Sequence, residues 1–529
     1  MCIGSLLRGT DGGVNPFGVW YMIPRSEVHR SEDASWQERR KSLLEVKKLW
    51  GGRFEEMPSE GMVAFLSGRD VRGVPPCDQR LVPYDLWGTR AHVLMLCRQA
   101  ILKPEEGRRI LKALREIERD FERGLFFLDP SREDVHSNIE SELIKKLGVD
   151  LGGKVHTGRS RNDQVALDMR LYLRDRVLEY IEKLSGLIAA LLERARKESS
   201  TLMPGYTHHQ RATVTTFGHL LLSFAESLDR DRDRFMDWFR RFNRNPLGAA
   251  AGYGTSFLLD REWTSKLLAF DGPTMNVTDA ITQRWEPEAE LGYAIGVMMN
   301  HLSSQAQTLI LLSTEEFNMV RLHDRHCSGS SMMPQKRNPD PLEVFKAKTA
   351  FAHGILMSLL SVGKCLFMGY NRETQWTKYW IMDLIDETTL SPSIMADIVR
   401  TLQVNHTRML DAARTEFVGA TFLMEWLVRS GGLSLRKAKM VVERAVKYSE
   451  QGGANQVSWE GLRKGMEEMG LRLPLRADEV AKVQDPKEAL HHLDAIGAPS
   501  ERRIGEAIRS LRERSRFALK WKTREEKRI

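Results

Sequence analysis

Apolar side chains recur at intervals of three and four residues through the middle of this chain. Leu171, Leu178, Ile181, Leu184 and Ile188 set the pattern; Phe217, Leu221, Phe224, Leu228, Phe235 and Phe239 repeat it; Leu291, Ile295, Met298, Leu302 and Leu309 do so again. That spacing lines one face of an α-helix with apolar groups. It predicts helices from about 165 onward, over 217–242, over 291–312, over 342–360, and from 380 to about 414. Several of these run to about 25–35 residues, two to three times the usual helix length. No period-two alternation is sustained anywhere, so the expected fold class is all-α, built around a central bundle of long helices.

Turn residues divide the chain. Residues 1–47 carry Gly-Gly and only short apolar pieces, and are expected to be an N-terminal extension with no signal peptide. Residues 48–157 are interrupted by Pro75-Pro76 and Gly152-Gly153 and form an N-terminal helical domain. Residues 158–410 form the bundle. Residues 411–529 shorten again around Gly431-Gly432 and Gly452-Gly453, giving a C-terminal helical domain with a basic tail.

Charge and composition narrow the class. The formal net charge is +8, but residues 501–529 alone carry eleven basic and five acidic side chains, so the body is close to neutral. A nucleic-acid-binding surface spread over the fold is therefore not expected, and the tail reads as a solvated helix of mixed charge. Uninterrupted apolar runs of about 18 residues are absent, which excludes helical membrane spans. Five scattered cysteines (Cys2, Cys77, Cys97, Cys327, Cys365) suit a reducing cytoplasm rather than a disulfide framework.

Polar, glycine-bearing segments sit where the long helices end, which is where a rigid scaffold places function. HTGRSRNDQ at 156–164 precedes the first long helix; Ser160 or Asn162 can cap it, and the free N–H groups with two arginines make an anion site. GYTHHQ at 205–210 carries His208, the side-chain type suited to proton transfer near neutrality, ahead of another helix. The small residues at 245–252 allow close backbone approach. SGSSMMPQKRNP at 328–339 has the makings of a lid, with Asn338 as cap and Pro339 as first residue of the next helix. Lys336 there can hold a carboxylate, and Glu343 lies about one turn further, able to orient a histidine. YNRETQWTK at 370–378 groups hydroxyl, amide and cationic side chains suited to a zwitterionic ligand.

The 328–339 segment resembles the GSSxMPxKxNP signature of the fumarase/aspartase superfamily. Together with HTGRSRNDQ, GYTHHQ, YNRETQ and the LWGGRF at 49–54, it is similar to the argininosuccinate lyase family over about residues 48–440. The resemblance implies that family's three-domain all-α fold and a homotetramer with active sites shared between subunits. It implies reversible β-elimination of L-argininosuccinate to L-arginine and fumarate, with no metal or organic cofactor. It also implies roles: Ser330 as the base that takes the Cβ proton, His208 as the acid for the leaving nitrogen, Glu343 as its partner, and Lys336 and Asn338 near the succinyl carboxylates. Asn162, Thr207, Tyr370, Gln375 and Lys378 match substrate-binding positions, with Ser160, Arg161 and Arg372 beside them and Asp78 in an acidic substrate loop. Trp376-Thr377 stand where the family carries acidic residues. The competing readings are another fumarate-releasing lyase of the superfamily, of adenylosuccinate or aspartate type, and a non-catalytic, crystallin-like structural protein.

Overall fold

The computed structural model describes Glu56, residues 59–67 and residues 75–529. The N-terminal extension and the family-like LWGGRF lie outside the described residues. The described residues fall into two units, the segment 329–337 and the remainder, and each is taken by itself below.

In the larger unit α1 (Glu60–Ser67), α2 (Cys77–Arg98), α3 (Pro104–Glu122) and α4 (Val135–Leu147) lead to α5 (Arg161–Lys197), which runs for 37 residues. Ser160 starts α5: its Oγ accepts from the Asn162 N–H at 3.3 Å, while Asp163 Oδ1 accepts from the Ser160 N–H at 2.9 Å. This reciprocal capping box makes Ser160, rather than Asn162, the cap. The expected stripe is buried, with Leu171, Ile181, Leu184 and Ile188 fully enclosed. α6 (Phe217–Phe242), capped by Thr216, packs along α5, and α7 (Glu286–Ser313) packs on α6 and against α8 (Asp340–Val362). These four long helices lie where the apolar periodicity places them.

Three expectations are corrected. The stretch from 380 to 414 is not one helix but α9 (Thr377–Thr388), α10 (Ser391–Thr401) and α11 (His406–Arg414). Pro392 has no N–H to continue a ladder, so it sits in the first turn of α10, and Gln403–Val404 pairs with Val320–Arg321 as a short two-stranded sheet. The helix after the signature segment begins at Asp340 with Pro339 as its N-cap, so Asn338 does not cap it. The third concerns GYTHHQ, which does not run directly into a helix. β1 (Leu202–Thr207) and β2 (Gln210–Thr216) form an antiparallel hairpin ahead of α6, and a register shift beside Gly205 leaves Ala212 unopposed. Val214 anchors the hairpin in a small core with Val418, Phe422 and Ala489. The fold class remains all-α.

Short helices fill the C-terminal region: α12 (Ala420–Arg429), α13 (Leu435–Gln451), α14 (Trp459–Glu468), α15 (Ala477–Gln484) and α16 (Pro486–His492), before α17 (Glu501–Arg528). The basic tail is this last helix, and it is docked rather than merely solvated. Ile504, Ile508, Leu511 and Trp521 are buried against α5 and α6, with Trp521 edge-on to Phe239 at 5.1 Å. Its cations meet carboxylates of the bundle, Lys522 to Glu182 at 2.7 Å and Arg514 to Asp229 at 3.1 Å. Much of the tail's charge is thus matched internally. No helix among the described residues is long and apolar enough to cross a membrane.

Candidate active site

The 156–164 loop is held from beneath. Buried His92 donates Nε2–H to the Thr157 carbonyl at 2.8 Å, and burial beside Arg159 pushes its pKa down to about 3, so it is a neutral donor. Arg159, also buried, donates to Thr89 Oγ1 at 2.9 Å. Asp163 Oδ2 accepts from the Gly248 and Ala250 N–H groups at 2.9 and 2.8 Å, which explains the small residues at 245–252: Gly248 takes φ +87° so that two successive strokes of backbone reach one carboxylate. Ser160 is spent on the cap, Asn162 is half-buried, and Arg161 is half-exposed, bonded to Glu133 and Asp134 at 3.1 Å each.

Below this loop lies a buried ionic cluster that no motif announces. His136 on α4 bonds Asp168 Oδ2 on α5 at 2.9 Å and stands 3.9 Å from Asp85 Oδ1 on α2. Its Nδ1 is 3.7 Å from Asp134 Oδ1, too long for a hydrogen bond, so that attraction is Coulombic. The carboxylates outweigh burial and push the His136 pKa up to about 10. Burial and the neighbouring Asp85 push Asp168 up to about 7. Asp85, His136 and Asp168 each offer one ligand-type atom within 4.8 Å of the others, but the contact between His136 and Asp168 is a hydrogen bond of an imidazolium. Asp134 links this cluster to Arg161, and the Val135 N–H donates to Asp78 Oδ2 at 3.3 Å.

Two expected substrate residues, Asp78 and Lys378, are brought into direct contact as a nearly buried ion pair. Tyr370 and Gln375 are brought together by a residue without any motif, Arg284. It is 5% exposed and lies 5.1 Å over the Tyr370 ring. Its Nε donates to Thr374 Oγ1 at 2.8 Å and its Nη2 to Gln375 Oε1 at 2.7 Å, while Nη1 is buried with no hydrogen-bond partner. Arg372 and Trp376 are exposed. Arg284 sits between a short helix (Val277–Thr282) and α7, in a stretch whose sequence gives only a Gln-Arg-Trp step before Pro287.

His208 occupies the tip of the β1–β2 hairpin. It and His209 both have positive φ (52° and 62°), as a two-residue turn with the twist of its strands requires. Thr207, opposite Gln210 in the last pair, is exposed, as is His208. Glu343, in the first turn of α8, is exposed and makes no ion pair with a histidine among the described residues. Asn338 exchanges two backbone bonds with Ser328, at 3.1 and 2.9 Å, and its Nδ2 reaches Ser328 Oγ at 3.3 Å.

In the second unit, segment 329–337, the Ser330 hydroxyl oxygen accepts from two backbone N–H groups, Met333 at 3.0 Å and Met332 at 3.2 Å. Lys336 donates its own N–H to the Met333 carbonyl at 3.1 Å, and its side chain is exposed. Two donors aimed at one hydroxyl oxygen favour its ionised form.

Comparison with known proteins adds the lineage. A family model described as Lyase matches residues 83–354. The argininosuccinate lyase of Syntrophus aciditrophicus (strain SB) is 39% identical over 473 residues, 89% of this chain and 97% of its own length. That of Hahella chejuensis (strain KCTC 2396) is 40% identical over 468 residues, 88% of this chain and 97% of its own. Among solved structures, EDDS lyase in complex with formate superposes with a TM-score of 0.82 at 28% identity, covering 91% of this chain and 95% of that one. These likenesses converge: the chain belongs to the argininosuccinate lyase family of lyases.

Proposed function

We propose that this protein is an argininosuccinate lyase, cleaving L-argininosuccinate reversibly to L-arginine and fumarate, and that it works as a cytoplasmic homotetramer with sites shared between subunits. The observation that carries the chemistry is the pair of N–H donors on Ser330 Oγ. A proton on the carbon beside a carboxylate is weakly acidic, and a serine hydroxyl is an equally poor base until its oxyanion is stabilised. Each pKa unit of that stabilisation is about 1.4 kcal/mol. The two amides supply part of it from fixed dipoles, without reorganisation during reaction.

In this reading Ser330 takes the Cβ proton, and Lys336 and Asn338 meet the negative charge that accumulates on the succinyl carboxylates. His208 then delivers a proton to the departing guanidinium nitrogen, with Glu343 of the assembled site orienting it. Asn162, Thr207, Tyr370, Gln375 and the Asp78–Lys378 pair hold the substrate. Exposure of His208 and Glu343 on the single chain supports completion of the site by other subunits. So do the apolar groups that α7 and α8 leave uncovered, among them Tyr293, Met357 and Leu360. The free thiols of Cys77, Cys97 and Cys365 suit a reducing compartment.

The test is release of fumarate, followed by its ultraviolet absorbance, from argininosuccinate and from adenylosuccinate in parallel. Turnover of argininosuccinate alone is expected. Turnover of adenylosuccinate with argininosuccinate untouched would overturn the substrate, and no fumarate from either would overturn the reaction.

A further inference from the structure

The contact between Arg284 and Gln375 fixes more than a side-chain position. A glutamine amide presents an acceptor at one end and a donor at the other, and either end can face a ligand. Here the acceptor end is taken: Gln375 Oε1 receives the guanidinium Nη2–H at 2.7 Å. The reversed amide would set its NH2 group against the guanidinium, donor against donor, so the chemistry of the pair decides the orientation. Gln375 Nε2 makes no hydrogen bond among the described residues. Arg284 itself is locked by burial, by Thr374 Oγ1 and by the Tyr370 ring, and has little freedom to release the amide.

We propose that Arg284 is a positioning residue which, by occupying Oε1 of Gln375, presents Nε2–H as a donor, so that the substrate group bound at this point is a hydrogen-bond acceptor and not an ammonium or guanidinium. The inference rests on the lyase reading and assigns the polarity of one end of its site. Arg284 does not touch the reacting atoms, so its effect falls on substrate binding more than on the chemical step.

Steady-state kinetics of argininosuccinate cleavage by the full-length protein tests it. Gln375→Glu keeps the size and the pairing with Arg284 but replaces the donor by an anionic acceptor. It is expected to raise KM by about a hundredfold, against about tenfold for Gln375→Ala, with kcat changed less than KM and the melting temperature at or above that of the wild type. A lower KM for Gln375→Glu than for Gln375→Ala would overturn the inference, because the ligand would then be offering a donor. Arg284→Met is expected to raise KM about tenfold alone and to add less than about twofold in the Gln375→Ala background. Additive losses would also overturn it, since Arg284 would then act independently of the amide. Should Arg284→Met fail to fold, the Gln375→Glu comparison still decides, because Arg284 is intact there. A wild type unable to cleave argininosuccinate would bring down the functional reading and this inference together; an active wild type with the wrong order of variants brings down the inference alone.

Discussion

Ser330→Ala is expected to lower kcat for argininosuccinate cleavage by about three orders of magnitude or more, while substrate affinity stays within about tenfold. The asymmetry follows from what the hydroxyl does. In the resting site it offers a bound substrate at most one neutral hydrogen bond, a net contribution of about 0.5–1.5 kcal/mol. In the proposed transition state it carries the proton leaving carbon, and the Met332 and Met333 N–H groups that favour its anion have no function once a methyl group replaces the oxygen. Met332 and Met333 are exposed, so water can satisfy the freed amides and the loop loses little. Fumarate absorbance gives the rate and titration calorimetry with the inactive variant gives the affinity. Wild-type turnover by Ser330→Ala would remove this residue from the mechanism.

The second large effect is on stability. His136→Gln leaves Asp85 and Asp168 buried together without the imidazolium that neutralises them, and is expected to cost about 3–5 kcal/mol near pH 6. The sign with pH follows from the direction of the shift. The folded-state pKa of His136, pushed up to about 10 by Asp134, Asp168 and Asp85, stands above the ordinary histidine value of 6.5. Its contribution is therefore complete below about pH 6.5, declines as pH rises, and is gone beyond about 10. Urea-unfolding midpoints of the two proteins, compared from pH 6 to pH 10, should converge. A gap that stays constant or widens with pH would show that the cluster is not held by an imidazolium.

Much of the scaffold was legible because α5 to α8 are long, and long helices expose their period repeatedly; Ser160, with its capping side chain, marked one of their starts. The β1–β2 hairpin escaped because its apolar positions are few and its strands are read together with the helix that follows. The β-branched run Thr213 to Thr216 was the available clue. The break at Pro392 is masked in the sequence because the apolar spacing continues across it. The proposed site residues stand out as groups inside contiguous motifs, since a loop suited to binding keeps its polar side chains close in sequence. Arg284 and the cluster of Asp85, His136 and Asp168 were not, because their partners lie on separate helices and meet only after the bundle packs.

The hairpin tip has a consequence for anyone improving this protein. Left-handed backbone at a histidine carries a steric penalty that glycine or asparagine would relieve. A library ranked by heat resistance alone would therefore drift toward those residues at 208, gaining robustness while discarding the imidazole. Under the proposed role of His208, selection for durability and selection for turnover pull this one turn in opposite directions.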